Sequence, residues 1–249
     1  MKIAICFSGQ PRNYETGKLV IDNLIKLNSN CEFDFFYHLW HSTLDGIYYK
    51  PSTYRNIDSA QLLIKQETPD IINTYYKPKK YIIENPIIFE TDYIKNSLMG
   101  KTLSQIEINN IDNAMSNIYS KYKSSLTLKN YVDENNVHYD FVLQIRFDFV
   151  NNINLNFNNL DKNKIYTACM SRKYINDNIV IANYENFLLY SKSYENINEI
   201  INNENIKEKS FNFIGCFGFV PEILLTCNLI YYDLYDKIET NNGDIPNFI

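Results

Sequence analysis

Residues 1–40, MKIAICFSGQPRNYETGKLVIDNLIKLNSNCEFDFFYHLW, combine two apolar runs with a helical pattern between them. Ile3–Phe7 predicts a buried strand, and Ser8-Gly9-Gln10-Pro11 predicts a tight loop after it. Residues 14–27 carry leucine and valine at helical spacing, and Glu32–Leu39 predicts a second strand. Strand, helix and strand within 40 residues are typical of a βαβ unit. We therefore expect an α/β fold whose mainly parallel central sheet is flanked by helices.

The remaining elements follow the same reasoning and suggest a single domain over residues 1–249. A helix is expected over residues 57–72, interrupted by Pro69 because proline cannot donate a backbone hydrogen bond. The clearest helix is Thr102–Tyr122, capped by Thr102 or Ser104, with one apolar face made of Ile111, Met115, Ile118, Tyr119 and Tyr122. Further strands are expected at Lys80–Ile83, Phe141–Ile145, Lys164–Ala168 and Asn178–Ala182. Further expectations are a helix at Tyr184–Tyr194, a surface helix or loop at Glu195–Lys209, a strand or bulge at Phe211–Val220, a helix at Pro221–Tyr235, and a polar tail at Glu239–Ile249.

Composition excludes several classes of protein. The chain has 249 residues and is 45% hydrophobic, which excludes disorder as the dominant state. Its net charge of -5 gives no support for a nucleic-acid partner. No run approaches about 18 apolar residues, so no transmembrane segment is expected. The five cysteines form no CxxC pair and lie beside apolar runs, which predicts reduced thiols in a cytoplasmic protein. The 36 asparagines are interpreted mainly as compositional background on loops and polar faces.

The loop after the first strand is the first candidate site. Ligands of open α/β sheets bind at the carboxyl ends of strands. Gly9, between Ser8 and Gln10, would allow close approach of the backbone to a ligand, and Arg12 supplies a guanidinium suited to phosphate. The alternative is an ordinary tight turn with a surface arginine.

The end of the second strand carries two of the three histidines and the only tryptophan. His38 and His41 lack a further His or Cys cluster that would complete a metal site. Together with Trp40 they could instead form a wall that stacks on a base or a sugar ring. The alternative is packing of these aromatic rings in the core.

Two further strand ends carry charges. Arg146 and Asp148 follow the buried run Phe141–Ile145, and residues at i and i+2 of an extended chain point to the same side. They could hold an anionic ligand and a metal or hydroxyl, or form a structural ion pair. Asp177 precedes another apolar run and is a candidate general base, although an Asx-type turn explains it equally well.

These motifs, in this order, resemble a family of GT-A-like glycosyltransferases found in polysaccharide gene clusters and large DNA viruses. The resemblance is carried by SGQxR at Ser8–Arg12, DxFxHxW at Asp34–Trp40, YxPK at Tyr76–Lys79, YDxVxRxRxD at Tyr139–Asp148, DQF at Asp177–Ile179 and PExxL at Pro221–Leu225. It implies a Rossmann-like GT-A domain that transfers a sugar from a nucleotide-diphosphate donor to a glycan or other hydroxyl acceptor. The donor would bind at Ser8, Gly9, Gln10, Arg12, His38, Trp40, His41 and Arg146, with Asp148 and Asp177 as the catalytic carboxylates.

Three positions depart from the pattern of the family. Gln144 stands where an arginine is common, and Asn178 stands where a glutamine is common. Arg146-x-Asp148 occupies the place of the Asp-x-Asp that usually holds Mg²⁺ or Mn²⁺ on the diphosphate. The diphosphate is therefore expected to be held either by a divalent cation on Asp148 or directly by Arg146.

The missing second aspartate also supports a second hypothesis, a degenerate transferase that binds a nucleotide sugar or carbohydrate without turnover. The resemblance favours a cytoplasmic enzyme, which would be in the host cytoplasm if the protein is viral. The 21 tyrosines are compatible with a homodimer or with an aromatic face for the acceptor.

Overall fold

A computed structural model describes residues 1–41, 47–48, 63–97, 105–168 and 174–240 of the chain. The strands in this part are β1 (Lys2–Gly9), β2 (Glu32–Trp40), β3 (Ile47–Tyr48), β4 (Leu63–Ile64), β5 (Lys80–Glu84), β6 (Phe141–Arg146), β7 (Ile165–Thr167), β8 (Ile179–Ala182) and β9 (Ile238–Thr240). The helices are α1 (Tyr14–Leu27), α2 (Thr68–Tyr76), α3 (Asp92–Ser97), α4 (Gln105–Asn135), α5 (Tyr184–Ser191), α6 (Ile197–Asn202), α7 (Glu204–Ile214) and α8 (Pro221–Tyr231).

Seven strands form one sheet in the order β5-β2-β1-β6-β8-β7-β9, and β3 pairs with β4. The β5–β2, β2–β1, β1–β6 and β7–β9 pairs are parallel, whereas β8 is antiparallel to both of its neighbours. The expected α/β architecture with a mainly parallel sheet is therefore confirmed. None of the helices in the described ranges is long and apolar enough to cross a membrane.

Helices cover both faces of the sheet, because the side chains of β1 alternate between two cores. Ile3, Ile5 and Phe7 belong to the core beneath α1 and α2. Ala4 and Cys6 belong to the core beneath α4 and the C-terminal helices. This alternation, with a period of two residues, lets a continuous apolar strand serve both layers.

Three predicted elements were wrong: a helix around Pro69, a strand or bulge around Gly215 and the start of the C-terminal tail. The helix predicted over residues 57–72 begins only at Thr68, because Pro69 occupies the first turn, where its missing N–H costs nothing. Leu63–Ile64 is a strand instead, and residues 57–62 lie outside the described part. Phe211–Val220 contains no strand: α7 continues through Ile214 and ends at Gly215, whose left-handed φ of 77° caps it.

The predicted polar tail begins too early. Glu239 and Thr240 belong to β9, which pairs in parallel with β7, so backbone pairing extends the sheet into this polar stretch. The helix predicted at Thr102–Tyr122 exists as α4 and extends to Asn135; its proposed caps, Thr102 and Ser104, lie outside the described residues.

The chain reverses its course across the sheet between β1 and β6. From β1 it adds β2 and β5 on one side, and it then returns to place β6 on the other. Ser8 is paired with Arg146 in this register, so the two strands end together. A crevice at the carboxyl ends of strands at such a switch point is the usual ligand site of open α/β sheets.

Close packing of α1 fixes the turn that follows β6. A Cβ atom at Gly17 would lie 1.9 Å from the backbone oxygen of Phe147, so only glycine permits this approach. The ring of Phe147 is buried and stacks on Phe7 with centroids 4.9 Å apart. The residues on either side of Phe147 are thereby held against the loop that carries Arg12.

Gly17→Ala is expected to destabilise the protein by about 1–3 kcal/mol, because the added methyl group forces α1 away from Phe147. Unfolding in urea, followed by circular dichroism, measures this change. Leu19→Ala on the exposed face of the same helix is the control and is expected to change stability by less than about 0.5 kcal/mol. Stabilisation by Gly17→Ala, as at an unhindered helical glycine, would contradict the packing described here.

Candidate active site at the switch point

Arg12 and Arg146 converge on Asp148 at the carboxyl edge of β1 and β6. Arg146 donates from Nε and Nη2 to the two carboxylate oxygens of Asp148, each at 2.9 Å. The Nε atom of Arg12 lies 2.9 Å from Oδ2 of the same carboxylate. One negative charge therefore holds together two guanidinium groups, one from the loop after β1 and one from the last residue of β6.

The local chain geometry explains why Arg146 and Asp148 meet. The i, i+2 spacing predicted that the two side chains would meet in an extended chain, but β6 ends at Arg146 and residues 147–148 form a turn. This turn buries Phe147 and brings the Asp148 carboxylate onto Arg146, so the expected ion pair is present for a different reason. Burial alone would raise the pKa of Asp148, but the charges of Arg146 and Arg12 outweigh it and hold this pKa below its usual value. Asp148 is therefore ionised at neutral pH.

Asp177 joins this cluster from the turn before β8. Its Oδ2 lies 3.6 Å from Nη1 of Arg146 and accepts a hydrogen bond of 2.8 Å from Nδ2 of Asn117 in α4. The predicted Asx-type turn is also present, since the backbone N–H of Asn178 donates to the side chain of Asn176. The turn fixes the backbone, while the side chain of Asp177 faces the arginines.

Two helices add polar groups that the sequence does not single out. The side chain of Lys121 in α4 is buried and donates from Nζ to Oδ1 of Asn117 at 2.6 Å. Burial lowers the pKa of Lys121 to about 8. Glu222, in the first turn of α8, is hydrogen-bonded to Asp177, and burial together with the charge of Asp177 raises the pKa of Glu222.

The sequence contains an indirect signal that Asn117 and Lys121 of α4 face the interior. Ala114, Ser124 and Leu128 are buried and recur at helical spacing along one face of α4. Asn117 and Lys121 lie on this same face. A lysine in register with buried positions would have indicated a functional or paired group.

The other residues predicted at the end of β1, which are Ser8, Gly9 and Gln10, differ in burial and in hydrogen bonding. The buried hydroxyl of Ser8 accepts a hydrogen bond of 2.9 Å from Gln144, which also donates to the backbone oxygen of Cys6. Ser8 therefore ties β1 to β6. Gly9 has a left-handed φ of 102°, and a Cβ there would meet no atom of the described residues within 4 Å. Gln10 is half-buried beside this open space.

The predicted aromatic wall at the end of β2 is buried. Trp40 is 3% exposed and stacks on Tyr119 with centroids 5.4 Å apart, while Nε2 of His41 donates to the backbone oxygen of Lys65 at 3.0 Å. Since an N–H donor is required opposite a backbone oxygen, Nε2 of His41 carries the proton. A role of these residues in donor binding stays a prediction.

His38 is also internal to the protein. Its Nδ1 lies 2.7 Å from the hydroxyl of Ser120, and its Nε2 lies 3.1 Å from Glu84. Burial lowers the pKa of His38 to about 4, so the ring is neutral at pH 7. Ser120 is 1% exposed, so this Ser–His–Glu arrangement holds β2, β5 and α4 together and does not present a nucleophile.

The residues at the switch point do not fit a divalent cation. Both oxygens of Asp148 are already paired with guanidinium groups, and a metal on this carboxylate would face two fixed positive charges. Within the described ranges, no group of three or more His, Cys, Asp or Glu residues is arranged to hold a metal. The chemistry that the site can supply from its own residues is anion binding by Arg12 and Arg146 and proton transfer by Asp177.

No protein-family model matches the chain, and no curated protein matches it.

Asp148→Asn is expected to cost about 3 kcal/mol of stability at pH 7, since it leaves two partly buried guanidinium groups without their counter-charge. Because folding lowers the pKa of Asp148, its contribution is complete above pH of about 4 and is lost as pH falls further, through the folded-state pKa. Urea unfolding from pH 7 to pH 3 measures the difference between wild type and variant.

The matched control is Asp133→Asn, which removes one partner of the exposed pair with Lys129 on α4. Its effect is expected to stay below about 1 kcal/mol at every pH. A difference between wild type and Asp148→Asn that does not change down to pH 3 would contradict the ion-pair interpretation.

Proposed function

We propose that the protein is a glycosyltransferase that moves a sugar from a nucleotide-diphosphate donor to a hydroxyl group of a glycan or other acceptor. The observation that carries the proposal is the convergence of Arg12 and Arg146 at the switch point of the sheet. Two guanidinium groups at the carboxyl ends of adjacent parallel strands suit a diphosphate, because each can form paired hydrogen bonds to phosphate oxygens.

The donor diphosphate would bind between the β1 loop and the end of β6. Gly9 leaves room for the backbone of this loop to approach a phosphate. Arg12 and Arg146 would share their charge between Asp148 and the diphosphate, so Asp148 orients the two guanidinium groups and no metal is required. Fixed positive charge at this position stabilises the leaving nucleoside diphosphate as the bond to the sugar breaks.

Asp177 would act as the general base. Its carboxylate removes the proton from the acceptor hydroxyl, whose oxygen attacks the anomeric carbon of the sugar. The bond from that carbon to the diphosphate breaks, and its electron pair leaves with the diphosphate oxygen beside Arg146. The contact of 3.6 Å between Arg146 and Asp177 supports this assignment, because it places the proposed base next to the leaving-group charge.

The proposal includes a cytoplasmic location, since nucleotide sugars are made there and buried free thiols such as Cys6 and Cys227 are usual in reducing compartments. The partners would be the nucleotide sugar and the acceptor. The second hypothesis, a nucleotide-sugar or carbohydrate-binding protein without turnover, is favoured by the saturated ion pairing of Asp148. Slow hydrolysis of the bound donor supports the transferase, whereas a pure binder leaves the donor intact.

Arg146→Gln is expected to weaken donor binding by about 10- to 100-fold, the cost of losing charged hydrogen bonds to the diphosphate. Titration calorimetry with a panel of uridine, guanosine, cytidine and thymidine diphosphate sugars, with Mn²⁺ and with chelator, measures it. Lys162→Gln removes one exposed positive charge far from the cluster and is the control. If no nucleotide sugar in the panel binds the wild type, the transferase proposal is wrong; if chelator abolishes binding, the metal-free arrangement is wrong.

Asp177→Asn is expected to retain donor affinity and to lower turnover by about 10²- to 10⁴-fold, because the amide cannot take the proton of the acceptor. Donor affinity comes from calorimetry, and turnover comes from release of the nucleoside diphosphate with an acceptor present. Asp133→Asn, in an exposed pair, is the control for both measurements. Unchanged turnover in Asp177→Asn would remove this residue as the base.

A further inference from the structure

Lys121 is buried beside the candidate site, but the reaction described above does not use it. Its side chain is 1% exposed, and its Nζ donates to Oδ1 of Asn117 at 2.6 Å. The charged groups around it come from β6, from the turn after β6, from the turn before β8 and from α8: they are Arg146, Asp148, Asp177 and Glu222. The tyrosine Tyr190 of α5 faces Asp177 as well. Burying an ammonium group is costly, so its retention at this position calls for a role.

The hydrogen-bonding capacity of an ammonium group defines that role. A protonated lysine donates three hydrogen bonds and accepts none. The amide of Asn117 must therefore turn its oxygen towards Lys121, which leaves its NH₂ group facing Asp177. The bond of 2.8 Å from Nδ2 of Asn117 to Oδ2 of Asp177 is the result. Arg146 faces the same oxygen at 3.6 Å, so Oδ2 is engaged by donors.

We propose that Lys121 is a positioning residue that acts through Asn117 to fix the orientation of the Asp177 carboxylate. The proposal rests on the proposed function, in which Asp177 takes a proton from the acceptor. With Oδ2 held by Asn117 and Arg146, and with Glu222 hydrogen-bonded to the same carboxylate, these neighbours fix the direction in which the carboxylate points. Lys121 touches no substrate in this scheme and sets only the direction in which the base points.

The hydrogen-bonded chain from Lys121 through Asn117 to Asp177, called the relay below, is expected to weaken as pH rises. Burial lowers the pKa of Lys121 to about 8, although the charge of Asp177 opposes this shift. Above this pH the neutral amine has a lone pair and can accept as well as donate. The Asp177 carboxylate still holds the NH₂ group of Asn117 towards itself, but an uncharged amine polarises the amide less, so the hydrogen bond from Asn117 to Asp177 weakens. The Asp177 carboxylate is therefore expected to be held more firmly below pH of about 8 than above it.

Nuclear magnetic resonance tests the relay without any need for turnover. In the wild type, the side-chain NH₂ signals of Asn117 are expected to shift between pH 7 and pH 9 with the same midpoint as the ¹³Cε signal of Lys121. In Lys121→Arg, which donates and does not accept at every pH, the Asn117 signals are expected to stay constant over this range. Lys129→Met, on the exposed face of α4, is the control and should reproduce the wild type. Asn117 signals that ignore pH in the wild type would overturn the proposal.

Kinetics then tests the consequence for catalysis. Asn117→Asp still accepts from Lys121 but cannot donate to Asp177, so kcat is expected to fall about 100-fold, the effect of misplacing a catalytic group, while donor affinity is retained. In the wild type, kcat should decline above pH of about 8, and Lys121→Arg should extend the plateau to higher pH. Equal kcat in wild type and Asn117→Asp, or a basic limb that Lys121→Arg does not move, would overturn the positioning role.

Different results would contradict the proposed glycosyltransferase function and the proposed positioning role of Lys121. If the wild type transfers no sugar, the proposed function fails, and the resonance experiment still decides whether Lys121 orients Asn117. If the wild type transfers sugar but Asn117→Asp is equally active, the transferase stands and the positioning role of Lys121 fails.

Discussion

The ion pairing of Asp148 with Arg12 and Arg146 depends on three separate features of the fold. Parallel pairing of β1 with β6 ends both strands at one edge, the turn at residues 147–148 brings Asp148 onto Arg146, and Gly17 lets α1 approach this turn. Two guanidinium groups at such short distance repel each other, and the carboxylate between them offsets that repulsion. An anionic ligand arriving there meets positive charge that is already oriented.

Charge alternates through the rest of the cluster. Arg146 lies between Asp148 and Asp177, and Asn117 links Asp177 to the buried ammonium of Lys121. Each buried charge therefore has a neighbour of opposite sign or a hydrogen-bond partner, which is the condition under which such groups can be buried at all. The same arrangement makes the orientation of every member depend on the next, so a change in the protonation of one group reaches the others.

The fold was largely predictable because its signals are local. The strand–helix–strand order of residues 1–40 follows from periodicity alone. The alternative of an ion pair between Arg146 and Asp148 is also confirmed, although Asp148 reaches Arg146 through a turn and not through an extended chain. The missing half of the site could not be predicted in this way. Asn117 and Lys121 approach Asp177 only because α4 packs across the sheet, and no spacing along the chain encodes that distance. The error at Phe211–Val220 had a local cause. Gly215 caps a helix, but a glycine within an apolar run is equally typical of a strand or bulge.

The two candidate strand ends differ in how their polar groups are used, and this difference argues for the switch point as the reactive position. At the end of β2 and β5, Glu84 accepts from Tyr119 at 3.0 Å and pairs with His38 and Lys123, while Trp40 stacks within the protein. Glu84, Tyr119, His38 and Lys123 are thus engaged with one another, whereas the buried Nε1 of Trp40 has no hydrogen-bond partner in the described part of the chain. At β1 and β6 the charged side chains lie at the ends of the strands beside Gly9, where a Cβ would meet no atom of the described residues within 4 Å, so a ligand there could exchange partners with Asp148 without unfolding any element.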